Sequence, residues 1–216
     1  FFDMRKIDLL IKNGTLYDGT GTKPFRADIG ITGDKIGFVA RPSAINYQPS
    51  AIKAEKTIDA RGLAVAPGFI DTHAHSDFTL LAGPRAEGKL LQGVTTEING
   101  NCGMSAAPLY GDAVEHRGKD LDELGIKERW STFKEYFRIL EQKGIAINFI
   151  SLTGHGNIRA SVIGYKDKKP RADEMKKMRS LFRESIKYGA IGLSTGLIYP
   201  PGVYSDTEEL IEYAKA

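Results

Sequence analysis

The chain has 216 residues, 41% of them hydrophobic and 26% charged, with a formal net charge of +3 at pH 7. That balance permits a sizeable buried core, excludes intrinsic disorder, and gives no electrostatic basis for a nucleic-acid or anionic-membrane partner. A single cysteine excludes an internal disulfide framework and fits a reducing, cytoplasmic compartment; no apolar run approaches the ~18 residues of a membrane-spanning helix, and Phe1–Met4 lacks the basic-then-apolar order of a signal peptide.

To about Arg61 the chain reads as β. Ile7 to Ile11 is a β-prone apolar run, Asn13-Gly14 signals a turn, Thr15 to Tyr17 resumes, and Asp18-Gly19 turns again. Ala27 to Ile31 alternates apolar residues with Asp28 and Gly30, Gly33-Asp34 turns, and Ile36 to Val39 continues. Residues 41–54, rich in Pro, Ser and Ala, read as a loop, and Thr57 to Asp59 as one more strand. Turn chemistry accounts for the Asn-Gly and Asp-Gly pairs without any ligand.

From Leu63 the pattern becomes strand, helix, strand. Val65 to Asp71 is a first strand and Arg85 to Leu91 a short helix stopped near Gly93. Val94 to Asn99 is a β-branched second strand that ends in Gly100-Asn101-Cys102-Gly103. Ser131 to Lys143 is an amphipathic helix capped by Ser131 or Thr132, with Phe133, Tyr136, Phe137 and Leu140 on one stripe. Ile145 to Leu152 is the third strand, and a long helix follows from about Ala172 to Tyr188, burying Met175, Met178, Leu181, Phe182 and Ile186. Ala190 to Leu193 is the fourth strand, and a last helix starts near Asp206. Four β-then-α steps, each strand ending in a polar or glycine-rich loop, predict an α/β fold with a parallel sheet. A closed barrel of this kind takes eight steps and about 250 residues, so the expectation is half a barrel in the N-terminal part of a longer protein.

The chemistry concentrates at the end of the first strand, in Val65 to Asp77, VAPGFIDTHAHSD. His73 and His75, two of four histidines, flank Ala74. On an extended backbone their side chains point the same way, with Cα atoms ~6.6 Å apart, and both imidazoles reach one ion. Zinc takes imidazole nitrogen at ~2.0–2.1 Å. Cys102, just past the second strand, is either a small buried hydrophobe or a thiolate ligand whose negative charge complements the two imidazoles. His155 opens on the same mouth and is a candidate substrate contact, loop-ordering residue or ligand; Arg159 is a candidate for a substrate carboxylate or a structural salt bridge. His116 is placed on an exposed loop.

PGFIDTHAHSD resembles the first barrel strand of the metal-dependent amidohydrolase superfamily. The Asn-Cys-Gly turn and Gly196-Leu197-Ile198-Tyr199-Pro200-Pro201-Gly202-Val203-Tyr204 resemble its N-acyl-D-amino-acid deacylase, or D-aminoacylase, branch. The resemblance implies residues 1–62 as the N-terminal part of a small β-sandwich domain and 63–216 as the first four units of a (β/α)8 TIM-like hydrolase barrel. It implies one tight zinc ion, a second weaker one being left open, with His73, His75 and Cys102 as metal ligands and two further histidines beyond this sequence. No catalytic acid–base residue falls within it; an aspartate on strand eight, past Ala216, is expected to move the proton. Asp77 is then a residue that orients the first-strand loop or a ligand histidine, and Tyr199 either presents its phenol to substrate or packs the loop. The implied reaction is metal-assisted hydrolysis of the linear amide of a small N-acyl-D-amino acid. A cyclic-amide or β-aspartyl-dipeptide amidohydrolase and a metal-free scaffold remain alternatives. In the fourth strand Ser194 and Thr195 stand where the cyclic-amide enzymes use a carboxylated lysine, which favours the deacylase branch. Oligomeric state is left undetermined.

Overall fold

The computed structural model describes residues 7–44 and 52–216, which divide into two compact units between Pro67 and Gly68. Phe1–Met4 and half of the predicted 41–54 loop, residues 45–51, lie outside the described residues.

In the first unit β1 (Ile7–Leu16) is central. It pairs antiparallel with β2 (Phe25–Thr32), which pairs antiparallel with β3 (Lys35–Ala40). On its other side β1 runs parallel to β4 (Ala54–Asp59) and β5 (Ala64–Val65). Ile7, Leu10, Phe38 and Ala40 form one buried cluster and Leu16, Ala27 and Ile29 another. Two expectations change here. Asn13-Gly14 is no hairpin turn: β1 runs through it as a bulge, with Asn13 at φ +63° and its N–H donating to Asp28 Oδ1 at 2.7 Å. Val65 does not open the barrel either, because it pairs with Leu16, so the boundary falls after Pro67 rather than after residue 62. One sheet is described in this unit, of the two layers a sandwich requires.

The second unit begins with β6 (Phe69–Asp71), parallel to β7 (Val94–Asn99), which is parallel to β8 (Asn148–Ser151). The chain continues through β9 (Thr153–Gly154), parallel to β10 (Leu193–Ser194). Ile191 N–H donates to Ser151 O at 2.9 Å, so four strand positions follow one another in sequence order as an arc of parallel sheet. This is the expected α/β arrangement.

Short helices α1 (Thr79–Ala82) and α2 (Glu87–Leu90) link β6 to β7; α2 is briefer than its sequence suggested because Ala86 is left-handed at φ +46°. Helix α3 (Asp112–Glu123) precedes α4 (Phe133–Lys143), which starts at a reciprocal Thr132–Glu135 capping box and ends at left-handed Gly144. Phe133, Tyr136 and Leu140 are buried in the largest core cluster with Trp130, Leu80, Leu81 and Ile147. Each fully buried Phe or Leu contributes about 1.5–3 kcal/mol.

Helix α5 (His155–Ile163) follows β9, α6 (Ala172–Lys187) precedes β10, and α7 (Thr207–Ala214) is capped by Asp206. In α6 the buried line runs through Glu174, Met178 and Ser185, with Met175, Leu181 and Phe182 half-buried against it. Ile186, expected inside, is 41% exposed, since Ser185 takes the inward position of the last turn. No helix among the described residues is long and apolar enough to cross a membrane.

Candidate metal centre

β6 ends at Asp71, so His73 and His75 stand on a loop rather than on the strand itself. The loop keeps the expected alternation because it is sewn to the end of β7. Ala74 N–H donates to Ile98 O at 3.0 Å, and Asn101 Nδ2 donates to Ala74 O at 3.1 Å and Ile98 O at 2.8 Å. Ser76 N–H donates to Asn99 Oδ1 at 2.6 Å, and Asp71 Oδ1 accepts from His73 N–H at 3.0 Å. Ala74 is therefore buried and the two imidazoles are turned outward, their ring centroids 5.4 Å apart. Below them, Lys89 bridges Asp71 Oδ2 at 2.7 Å and the buried Glu97 Oε1 at 2.9 Å, tying β6 to β7.

Cys102 comes to meet the histidines. Its Sγ lies 3.4 Å from His73 Nε2, and ligand atoms of His73, His75 and Cys102 all lie within 4.8 Å of one another. Tetrahedral zinc with sulfur at ~2.3 Å and nitrogen at ~2.0–2.1 Å requires a sulfur–nitrogen separation of about 3.6 Å, so the spacing fits. Two imidazoles and a thiolate are also the borderline-soft donor set zinc prefers. Partial desolvation by the surrounding loops, then the neighbouring His73 ring, holds the His75 pKa below its usual value even though the His75 ring is solvent-accessible, which favours the neutral ligand form. Both histidines are exposed, leaving coordination positions open to other groups.

Residues 56–216 match the Amidohydrolase family. The chain is 39% identical over 213 residues to the D-aminoacylase of Alcaligenes xylosoxydans xylosoxydans, an alignment covering 99% of this chain and 42% of that protein. It superposes with a TM-score of 0.83 and 32% identity on the N-acyl-D-glutamate deacylase of Bordetella bronchiseptica, solved with zinc and a phosphonate inhibitor, covering 98% of this chain and 43% of that one. A D-aminoacylase structure concerned with a binuclear metal centre gives 0.83 and 37%, with 96% and 42% coverage.

This chain belongs to the amidohydrolase family.

Within that family these similarities are to N-acyl-D-amino-acid deacylases, and it spans a little over two fifths of the length of those relatives. The arc of parallel strands matches part of the deacylase fold, and the three candidate ligands stand at the C-terminal ends of its first two strands, where parallel α/β barrels carry their chemistry.

The other residues singled out from sequence are distributed differently. Asp77 is buried and bonds no histidine; its Oδ1 accepts from Ala106 N–H at 3.1 Å, and its main-chain oxygen accepts from Tyr136 OH. Burial raises its pKa to about 6, partly offset by N–H donors from Gly100 and Ala106. It therefore anchors the Cys102 loop. Tyr199 borders a cavity beside the thiol, together with His116, Arg117, Asn157 and Tyr165, and its hydroxyl donates to Cys102 O. His116 is not on a loop: it lies in α3, exposed and stacked on Tyr165 with centroids 5.0 Å apart.

His155 and Arg159 do not reach the mouth as substrate contacts. Both are fully buried in α5, where Glu209 of α7 binds His155 Nε2 at 2.7 Å through Oε1 and Arg159 through Oε2. Arg159 Nη2 also donates to Lys168 O at 2.5 Å and Tyr204 O at 3.3 Å, so this cluster ties α5 to α7 and to the end of the Tyr199 loop. Of the two readings of Arg159, the structure shows the salt bridge, and its carboxylate is Glu209, 50 residues away in sequence. Sequence reasoning passed over Asn99 and Asn101 as loop-fastening side chains, and the Asn-rich strand end was their one visible signal; Ser194, noted only for not being a lysine, is a third such fastener.

Proposed function

We propose that this chain forms the first-half metal pocket of a zinc-dependent hydrolase that cleaves the amide of N-acyl-D-amino acids, giving a carboxylate and a free D-amino acid. The observation that carries the reading is the meeting of two imidazoles and one thiol within 4.8 Å at the ends of the first two barrel strands, in a chain 39% identical to D-aminoacylase. His73 and His75 offer neutral nitrogen and Cys102 offers sulfur. Bound there, zinc supplies Lewis-acid chemistry: it polarises the acyl carbonyl and lowers the pKa of a water toward ~7.

The remaining work is positioning. Asp77 and Asn101 hold the two ligand loops in register. Tyr199 borders the cavity next to Cys102, and its phenol becomes a donor available to a substrate carbonyl oxygen once it releases Cys102 O. The carboxylate that moves the proton is assigned to an eighth strand, which this sequence does not contain. The ligand is a small molecule, and a lone cysteine in a metal-binding role fits the cytoplasm.

The test uses full-length protein containing this sequence. Acetyl-D-amino acids are expected to be hydrolysed in preference to their L-enantiomers and to hydantoin, with activity lost on zinc removal and restored by zinc. Preferential turnover of hydantoin, or chelator-resistant activity, overturns the reading.

A further inference from the structure

The turn carrying Cys102 is backbone that needs outside support. Gly100, Cys102 and Gly103 have φ of +75°, +56° and +74°. Glycine adopts such angles freely, whereas the β-carbon of Cys102 makes the left-handed conformation costly. A non-glycine residue stays there only where its surroundings over-determine it.

Those surroundings come from the fourth strand. Ser194, at the end of β10, places its Oγ across the turn: it accepts from Gly103 N–H at 2.9 Å and donates to Gly100 O at 2.5 Å. One hydroxyl therefore joins the two ends of the segment whose middle residue is the thiol. A group that accepts and donates at one atom is needed, and alanine would leave both the N–H and the C=O without this partner. The flanks leave the turn little room to settle elsewhere. A β-carbon on Gly154 or Gly156 would stand 2.5 or 2.7 Å from Gly103 O, and one on Gly103 would stand 2.8 Å from Gly196 N.

We infer that Ser194 is a positioning residue for the metal centre: its hydroxyl locks the Gly100–Gly103 turn in the conformation that aims the Cys102 thiol at His73. The fourth strand thus contributes to the site without supplying a ligand. This rests on Cys102 being a ligand, and the experiment separates the two claims.

Full-length protein is loaded with Co(II), and thiolate-to-cobalt charge-transfer absorption and affinity against a chromophoric chelator are measured for wild type, C102S, S194A, S194T and S194V. Loss of a residue behind a ligand typically costs about 10- to 100-fold in metal affinity. S194A is expected to fall in that range with a weakened sulfur band while its melting temperature stays close to wild type. S194T, which keeps the hydroxyl, should recover both. S194V has the shape of threonine without the hydroxyl, so the Thr/Val pair decides the matter if S194A does not fold. Equal affinity and band in S194T and S194V, or an unaltered S194A, overturns the role of Ser194 while leaving Cys102 a ligand. A wild-type band that is absent, with affinity unchanged in C102S, overturns the ligand assignment itself and the inference with it.

Discussion

The sulfur of Cys102 lies 3.4 Å from Nε2 of His73, although 29 residues separate them in the chain. Nothing local brings them together; the pairing is made by parallel β6 and β7 and by the Asn101 side chain that binds both strand ends. A thiol and an imidazole meet at a solvent-open rim with a second imidazole beside them, at a spacing that could hold one cation. C102S and H73A should each lower zinc affinity by at least about 100-fold, since even residues behind a ligand are worth about 10–100-fold. Metal content after dialysis, with competition against a chelator, checks this; full zinc occupancy in both variants would remove the site.

Replacing Tyr199 with phenylalanine should lower kcat about 100-fold at saturating zinc, the typical loss when one oxyanion donor is removed. Measuring kcat with and without added zinc distinguishes two roles. A deficit that disappears when zinc is saturating would make the phenol a brace for Cys102 O alone.

Glu209 is a single carboxylate shared between fully buried His155 and Arg159. E209A leaves a guanidinium sealed without its counter-ion, and breaking a buried pair in this way costs roughly 3–5 kcal/mol. Chemical denaturation of the full-length protein should show that loss, and E209Q, which keeps an acceptor, a smaller one. Stability within 1 kcal/mol of wild type in E209A would mean the cluster is solvated.

At the start of α4, N–H groups of Ser131 and Thr132 donate to Glu135 Oε2 at 2.8 and 3.0 Å, and these bonds hold its carboxyl pKa below the ordinary glutamate value of 4.5. A depressed folded-state pKa means the contribution is present above pH 4.5 and fades as the pH falls through the lower folded value. T132A should cost about 1 kcal/mol at neutral pH. In E135Q the acid side of the pH–stability curve should flatten relative to wild type; identical curves would show that the capping box contributes nothing.

How far sequence reaches is visible in particular residues. The His73-x-His75 pair was readable because a buried apolar run ends in Pro-Gly before it, and Cys102 because glycines flank it at the neighbouring strand's end. Helix α3 was missed since DAVEHRGKDLDE buries only Ala113 and Leu121 and carries Gly118 in its middle, too weak a pattern for the 3.6-residue period. Helix α5 was hidden by His-Gly-Asn, a composition that reads as a loop. The fate of His155 and Arg159 depended on Glu209, a partner that only tertiary packing supplies. Asn13-Gly14 has turn chemistry, but pairing of β1 with three other strands overrode it.

Around the sulfur-bearing turn, Gly103, Gly154, Gly156 and Gly196 meet main chain against main chain. Variation is thereby partitioned. Any side chain added at those four places presses on the main chain of the loops that bring sulfur to nitrogen, whereas His116 and Arg117 approach the same cavity from α3. A scaffold divided in this manner fixes the meeting of sulfur and nitrogen and leaves the α3 side of the cavity freer to vary.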